Sequence, residues 1–407
     1  MSPSTPRPPS FSRPSSGLRI AVVGLGTMGA QVAWQLARAG HAVTGYETYA
    51  PGHSRGAAGG ETRLFRTIQY EDPGYQPLGD LADHWYRRLA AESGRTVREL
   101  TGSVLSGDPQ APDMQAALAH VSARPDGYTV LDSAEARRCF PQFRPADDDL
   151  TVLDHGGGTI FPERTVHAAA TLARAHRAEL RSRTRVVAVE QVADWRVRVV
   201  DDRGGTEMYD RVVVAPGAWT RVLFPELADT VESRCLVSAW FLPREPGHLD
   251  GVLPFIRMAP DYAYGLPYAD RSAYKLGLGY SADHRVEDPD TAVPTSAAPG
   301  TPSTYHRVSE EDVDRFADFI ARVMPGLDPY PMRTAAYFES FTSSGYELIG
   351  PHPDMPDVVL LTGFSGHGFK FAPAIGCVGA ALAVGEEPPV DLGFLTRGAA
   401  AGTSTEK

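Results

Sequence analysis

Cysteine is scarce in this chain: Cys139, Cys235 and Cys377 are the only three, far apart and without a CxxC pair. That spacing argues against a disulfide framework or a cysteine-rich zinc site and fits a reducing cytoplasm. The histidines show no HExxH spacing, so no metal site is expected. Positive charge is also short. Lys and Arg number 39 against 50 Asp and Glu, a net charge of -11 with no basic block. Nucleic acid and anionic membranes are therefore poor partners. No apolar run reaches the roughly 18 residues of a membrane span, and internal repeats are absent. Residues 1–16 are rich in Ser and Pro and lack the apolar centre of a signal peptide. A disordered tail is expected over 1–17 and a flexible one over 396–407.

What remains is enough for a sizeable core. Hydrophobic residues make up 42% of 407, which suits two domains or one large interleaved unit. Residues 18–23 (LRIAVV) read as a buried strand bounded by Gly24. Residues 28–39 carry apolar side chains at helical spacing and stop at Gly40, and 41–46 read as a second strand, completing a βαβ unit. Further strands are expected over 183–190, 195–200, 210–214 and 357–362. The last is followed by a Gly-rich turn and an apolar helix over 373–384. The stretch 288–303, rich in Pro, Ala, Ser and Thr, is expected as a surface loop.

The strongest local motif is Gly24-Leu25-Gly26-Thr27-Met28-Gly29, which follows a strand and opens a helix. The first glycine permits a tight turn, the second lets the backbone approach a pyrophosphate, and the third allows close helix–strand packing. The helix N-terminus offers free N–H groups and a positive dipole end to the phosphates. Glu47, at the end of the second strand, stands where a carboxylate accepts hydrogen bonds from ribose hydroxyls. The motif predicts a dinucleotide but does not separate FAD from NAD. With Ala39-Gly40-His41 downstream, it also looks like the opening of an NAD-dependent β-hydroxyacid dehydrogenase.

Five stretches carry a wider resemblance: the opening βαβ unit; Gly60-Glu61-Thr62-Arg63-Leu64-Phe65-Arg66; Gly157-Gly158-Thr159-Ile160-Phe161-Pro162-Glu163; Val214-Ala215-Pro216-Gly217-Ala218-Trp219; and Gly363-Phe364-Ser365-Gly366-His367-Gly368-Phe369-Lys370-Phe371. In order and spacing, from Leu18 to about Val384, the chain resembles the monomeric sarcosine oxidase and N-methyltryptophan oxidase group of the D-amino-acid-oxidase-like flavoproteins. The resemblance implies an α/β (mixed α+β) fold, with a Rossmann-like FAD-binding domain over 18–90, 150–223 and 333–395. A substrate domain on a mixed or antiparallel sheet would take 91–149 and 224–332. It implies FAD as cofactor, a small amine or amino acid as substrate, and O2 reduced to H2O2 as the C–N bond becomes an imine. A secondary, N-methyl or cyclic amino acid is favoured.

The resemblance also assigns residues. Arg66 and Lys370 would bind the substrate carboxylate, one as a fork and one as a point charge. Lys275 would sit at the flavin face and activate oxygen electrostatically. Arg63 would lie near the flavin, and Tyr264 would be an active-site tyrosine. Besides Gly24, Gly26, Met28, Gly29 and Glu47, cofactor contacts would come from Arg63, Gly217, Gly366, His367, Gly368 and Lys370. The N–H groups of 366–369 would form an anion-binding nest. His367 suits a structural role equally well.

Three departures stand out. Tyr337 occupies the position of the cysteine that attaches FAD in many members, so non-covalent FAD is expected. Glu339 replaces an active-site tyrosine and, if it faces the pocket, could hold a second substrate amine; an exposed position suits it equally. Ala58, Gly59 and Gly279 replace larger residues and suggest a differently shaped, larger pocket. A cytoplasmic monomer or small homo-oligomer fits these readings. Alternatives are a same-fold dehydrogenase with another electron acceptor, the NAD-dependent enzyme, and a non-catalytic flavin-binding protein.

Overall fold

A computed structural model describes residues 17–279, 285–286, 288–290 and 308–396. The expected tails at 1–16 and 397–407, and most of the expected loop over 288–303, lie outside the described residues.

The opening strand, Arg19–Val23, is central in a six-stranded sheet. The order is Leu348–His352, Met355–Thr362, Arg211–Val214, Arg19–Val23, Ala42–Glu47 and Glu179–Ser182. All neighbours pair in parallel except the antiparallel edge strand Leu348–His352. Val22 is in register with Val213 on one side and Gly45 on the other. Such strands are buried on both faces, which explains their continuous apolar sequence. Ile20 and Val22 join the core under the helices, whereas Ala21 and Val23 join the core on the opposite face.

Helices Gly29–Arg38, Pro162–Ala175 and Ala372–Ala383 cover the first face, with Trp34 fully buried among them. A three-stranded antiparallel sheet, Val186–Ala193, Arg196–Asp201 and Thr206–Tyr209, covers the second through Val189, Val197 and Val199. Fully burying a Val or Ile side chain contributes about 1.5–3 kcal/mol, so both faces hold the Gly24 turn firmly in place.

A nine-stranded mixed sheet forms the second layer system. Its longest ladder joins Val231–Phe241 to Arg333–Thr342, antiparallel. Helix Glu310–Val323 seals one face with Phe316, Phe319 and Ile320. That helix starts at a capping box, Ser309 and Asp312 each bonding the other's backbone N–H. The other face meets helix Pro112–Ala123 through Leu105, Met114 and Val152. Strands Leu150–Asp154 and Arg333–Thr342 fall in segments expected in the nucleotide-binding unit, yet their ladders lie in this larger sheet.

Candidate functional site

At the carboxyl end of Arg19–Val23 the chain turns at Gly24, which has φ 84°. A Cβ on Gly24 would lie 2.4 Å from the Ala215 carbonyl oxygen, and one on Gly29 would lie 1.8 Å from the Gly24 oxygen. A Cβ on Gly26 would meet nothing within 4 Å. These positions thus serve as tight turn, close helix–strand contact and open approach. Helix Gly29–Arg38 has no side-chain cap at Met28; Ala30 N–H bonds the Gly26 carbonyl at 3.2 Å, and the positive end of the helix dipole faces the turn. Thr27 Oγ1 is buried in the same wall with no partner among the described residues.

Glu47 closes the turn: its carboxylate accepts N–H bonds from Leu25 and Tyr49, both 2.9 Å. Burial raises its pKa, and those backbone donors partly restore the ionised form. A cavity of about 480 Å³ runs from this turn past Gly217 to the Gly-rich turn at 363–371. Its length, exposed glycines and orphaned donors fit an extended dinucleotide such as FAD.

The turn at 363–371 is built from residues of positive φ: Gly363 at 72°, Ser365 at 46° and Gly366 at 79°. Ser365 N–H bonds the Ser340 carbonyl at 3.0 Å, and Tyr86 hydroxyl donates to the Phe369 carbonyl at 2.8 Å. His367 turns inward: Nδ1 lies 3.2 Å from the Ser365 carbonyl, and Nε2 lies 3.1 Å from the Tyr75 hydroxyl and 3.2 Å from Glu347. Tyr75 in turn donates to Glu347 at 2.6 Å.

A second cavity, about 120 Å³, abuts the first. Arg63, Glu339, Gly366 and Phe369 line both. Arg66 and Lys370 line only the smaller one and share a single counter-ion, Glu71. Arg66 is 6% exposed, pairs with Glu71, bonds the Ile68 carbonyl and lies over the Tyr70 ring at 4.1 Å. Lys370 Nζ is 3.5 Å from Glu71 and 3.2 Å from the His367 carbonyl. Burial and the neighbouring Arg66 push Lys370 down to about 7, against the pull of Glu71 and Glu347. Burial alone would raise Glu71, yet Arg66, Lys370 and His367 hold it well below the usual carboxylate range. Two basic groups around one anion make a receptor for a carboxylate.

Tyr264 also lines the small cavity, 3.5 Å from the Ser238 hydroxyl, and burial raises its pKa. Gly277 on the next strand makes room for it: a Cβ there would lie 2.2 Å from the Tyr264 ring. Arg63 spends its guanidinium on the Thr62 carbonyl at 3.0 Å and the Ala57 carbonyl at 2.8 Å.

Lys275 stands behind the wall shared by the two cavities, close to Arg63 and Glu339. It is fully buried, lines neither cavity, and donates to the Gly60 carbonyl at 3.1 Å and to the Thr62 carbonyl. Burial first, then Arg63, lowers its pKa well below the usual lysine value. Gly59 lines neither cavity. Tyr337 fills the space beside it, since a Cβ on Gly59 would lie 2.7 Å from its ring. Sequence reasoning missed Glu71, Tyr70 and Tyr262, which complete the small cavity. An acidic residue five positions after Arg66 was the available signal.

A model of the FAD dependent oxidoreductase family (DAO) matches residues 19–382. The monomeric sarcosine oxidase of Streptomyces avermitilis is 31% identical over 372 residues, covering 90% of this chain and 93% of that one. The N-methyl-L-tryptophan oxidase of Salmonella typhi is 25% identical, covering 92% and 96%. Among solved structures, the open form of NikD, described as an unusual amino acid oxidase essential for nikkomycin biosynthesis, superposes with a TM-score of 0.79. Its identity is 24%, over 94% of this chain and 97% of that one. The family match sets aside the NAD-dependent reading of the glycine motif. With a family model spanning the folded region and a relative above 30% identity across nine-tenths of both lengths, the chain belongs to the FAD dependent oxidoreductase family.

Proposed function

We propose that the protein oxidises the C–N bond of a small amine or amino acid to an imine, with O2 reduced to H2O2. The observation that carries this reading is the Arg66–Glu71–Lys370 cluster in a small cavity abutting the dinucleotide cavity. The substrate carboxylate docks between Arg66 and Lys370, which places the substrate nitrogen toward the shared wall. The residues at 24–29, Glu47, Gly217 and 366–369 would hold FAD, which supplies the two-electron oxidant when bound. The small cavity excludes bulk water and strengthens each charge contact. Lys275 is a positioning residue, since its two hydrogen bonds hold the 60–62 segment that presents Arg63. A cytoplasmic monomer or small homo-oligomer goes with this reading. No described helix is long and apolar enough to cross a membrane.

A peroxide-coupled screen of sarcosine, N-methylated and cyclic amino acids on the FAD-loaded protein tests the function. Turnover with none of them would remove it. A second reading, a dehydrogenase with another electron acceptor, is favoured by one observation. Lys275, the group implied for oxygen activation, spends two of its donors on the Gly60 and Thr62 carbonyls and lines neither cavity. Stopped-flow mixing of reduced protein with O2 separates the two, because slow reoxidation supports the dehydrogenase.

FAD should be held without a covalent bond. Tyr337 packs beside Gly59 and Gly60, lines neither cavity, and is pushed up to about 12 by burial, leaving its phenol protonated. Cys235 is buried outside both cavities, and burial pushes its thiol up to about 12. Acid precipitation of the yellow protein should release all flavin absorbance into the supernatant. Colour that stays with the pellet contradicts this.

Carboxylate capture should weaken as pH rises. Lys370 is cationic below about 7 and loses its charge above it. Acetate affinity, followed by the flavin spectrum, should therefore fall roughly tenfold from pH 6 to pH 9, the worth of one charged hydrogen bond of about 1.5 kcal/mol. Lys370→Met should remove the pH step and leave a weak, flat affinity.

A further inference from the structure

We propose that the Glu339 carboxylate is the base that takes the proton from the substrate's ammonium nitrogen before oxidation. This deepens the proposed function and rests on it. The two cavities share a wall. Of the four residues lining both, only Arg63 and Glu339 have ionisable side chains. Arg63 is committed to the Thr62 and Ala57 carbonyls. Glu339 makes no side-chain hydrogen bond among the described residues. Its side chain is partly buried and reachable from both cavities.

The surrounding charges are known from every element that faces it. Arg63 stands on strand Arg63–Phe65, Lys275 on Tyr274–Leu278 and Tyr264 on Ala263–Pro267, while His367 approaches from the Gly-rich turn. Arg234, opposite Glu339 in the ladder, is paired with Glu232, and Tyr337 on its own strand packs against Gly59. Burial raises the Glu339 pKa, and Arg63, His367 and Lys275 oppose that rise. A raised pKa makes this carboxylate a better proton acceptor than an ordinary exposed glutamate.

The chemistry requires an acceptor. A small aliphatic amine enters from water as its ammonium form, and its α-carbon cannot release a hydride while nitrogen holds the extra proton. With the carboxylate docked at Arg66 and Lys370, the nitrogen lies toward the shared wall. The other candidates there are occupied. Glu71 is locked between Arg66 and Lys370. His367 Nε2 is turned to Tyr75 and Glu347. Lys370 anchors the carboxylate. In the step proposed, one ammonium N–H bond breaks, its electron pair stays on nitrogen, and an O–H bond forms on Glu339. The ion pair becomes a neutral amine and a carboxylic acid, which is the form a dry cavity favours, and no oxidant is consumed.

The test compares kcat/KM of the FAD-loaded parent and Glu339→Gln across pH, using whichever of sarcosine, L-proline or N-methyl-L-tryptophan the parent oxidises. Without a base the variant can use only the free neutral amine. An aliphatic ammonium titrates roughly three pH units above neutrality, so the variant should be on the order of a thousandfold slower at pH 7. The ratio of variant to parent should then rise tenfold per pH unit, from above the Glu339 titration up to that of the substrate, because every shared titration divides out. Glu339→Asp, which keeps a carboxylate, should keep the parent's profile at a lower rate. Acetate, which has no nitrogen, should bind Glu339→Gln at least as tightly as the parent. A ratio constant with pH, or acetate binding lost in Glu339→Gln, assigns a structural role and overturns the inference while the function stands. Turnover of none of the three amines by the parent ends both readings.

Discussion

Replacing Arg66 by alanine should lower kcat/KM about a thousandfold. Two effects combine. The substrate carboxylate loses its forked, charged partner, and truncating a buried, hydrogen-bonded charge costs about 2–5 kcal/mol in binding. Glu71 also loses its principal counter-ion while 14% exposed, with one carboxylate oxygen already unpartnered among the described residues. A buried pair broken on one side destabilises by about 3–5 kcal/mol. The variant should therefore also melt several degrees below the parent. Arg66→Ala with Glu71→Gln should recover most of that thermal loss and none of the activity. If the double variant also recovers kcat/KM, Arg66 serves the fold and the carboxylate site lies elsewhere. Arg66→Lys should fall between, since a point charge cannot reproduce the fork.

Gly29→Ala should give a colourless protein. The added Cβ would sit 1.8 Å from the Gly24 carbonyl oxygen, and Gly24 has little freedom to yield. Its N–H is bonded to the Tyr46 carbonyl at 2.8 Å, and its own Cα faces the Ala215 backbone. Overpacking of this kind typically costs about 1–3 kcal/mol, and the displaced turn no longer presents its N–H groups to the phosphates. FAD retention after gel filtration, read by visible absorbance, should be abolished, with a lower melting temperature. Gly26→Ala is the informative contrast. Its Cβ meets nothing within 4 Å, so the protein should fold normally yet bind FAD weakly, because the methyl group occupies the ligand's approach. Retention of FAD by both variants would remove the glycine turn from the cofactor site.

The glycine turn was legible because its physics is local. The strand over 18–23, the helix over 28–39 and the strand over 41–46 appear as Arg19–Val23, Gly29–Arg38 and Ala42–Glu47. The strand over 357–362 and the helix over 373–384 also appear, as Met355–Thr362 and Ala372–Ala383. Farther along, legibility falls. The strand expected over 183–190 lies at Val186–Ala193, and residues 179–182, not expected as a strand, form the sheet's edge. That edge strand is exposed at Glu179 and Ser182, so it carries little apolar signal. Arg66 and Lys370 were found through resemblance, whereas Glu71 was not. Its partnership depends on a turn that brings residue 71 back between residues 66 and 370, and no periodicity encodes that. Lys275 shows the converse. It stands on strand Tyr274–Leu278, but which carbonyls its amine meets is decided by the distant segment at 60–62.

The strand order of the six-stranded sheet bears on how the chain is made. Arg211–Val214 pairs on one side with the first strand of the fold and on the other with Met355–Thr362. During synthesis its second edge waits until roughly 140 further residues emerge, an interval on the order of 10–30 s at common elongation rates. Through that interval an apolar strand with unpaired N–H and C=O groups is open to wrong partners. Truncations before residue 355 should therefore be recovered as aggregates.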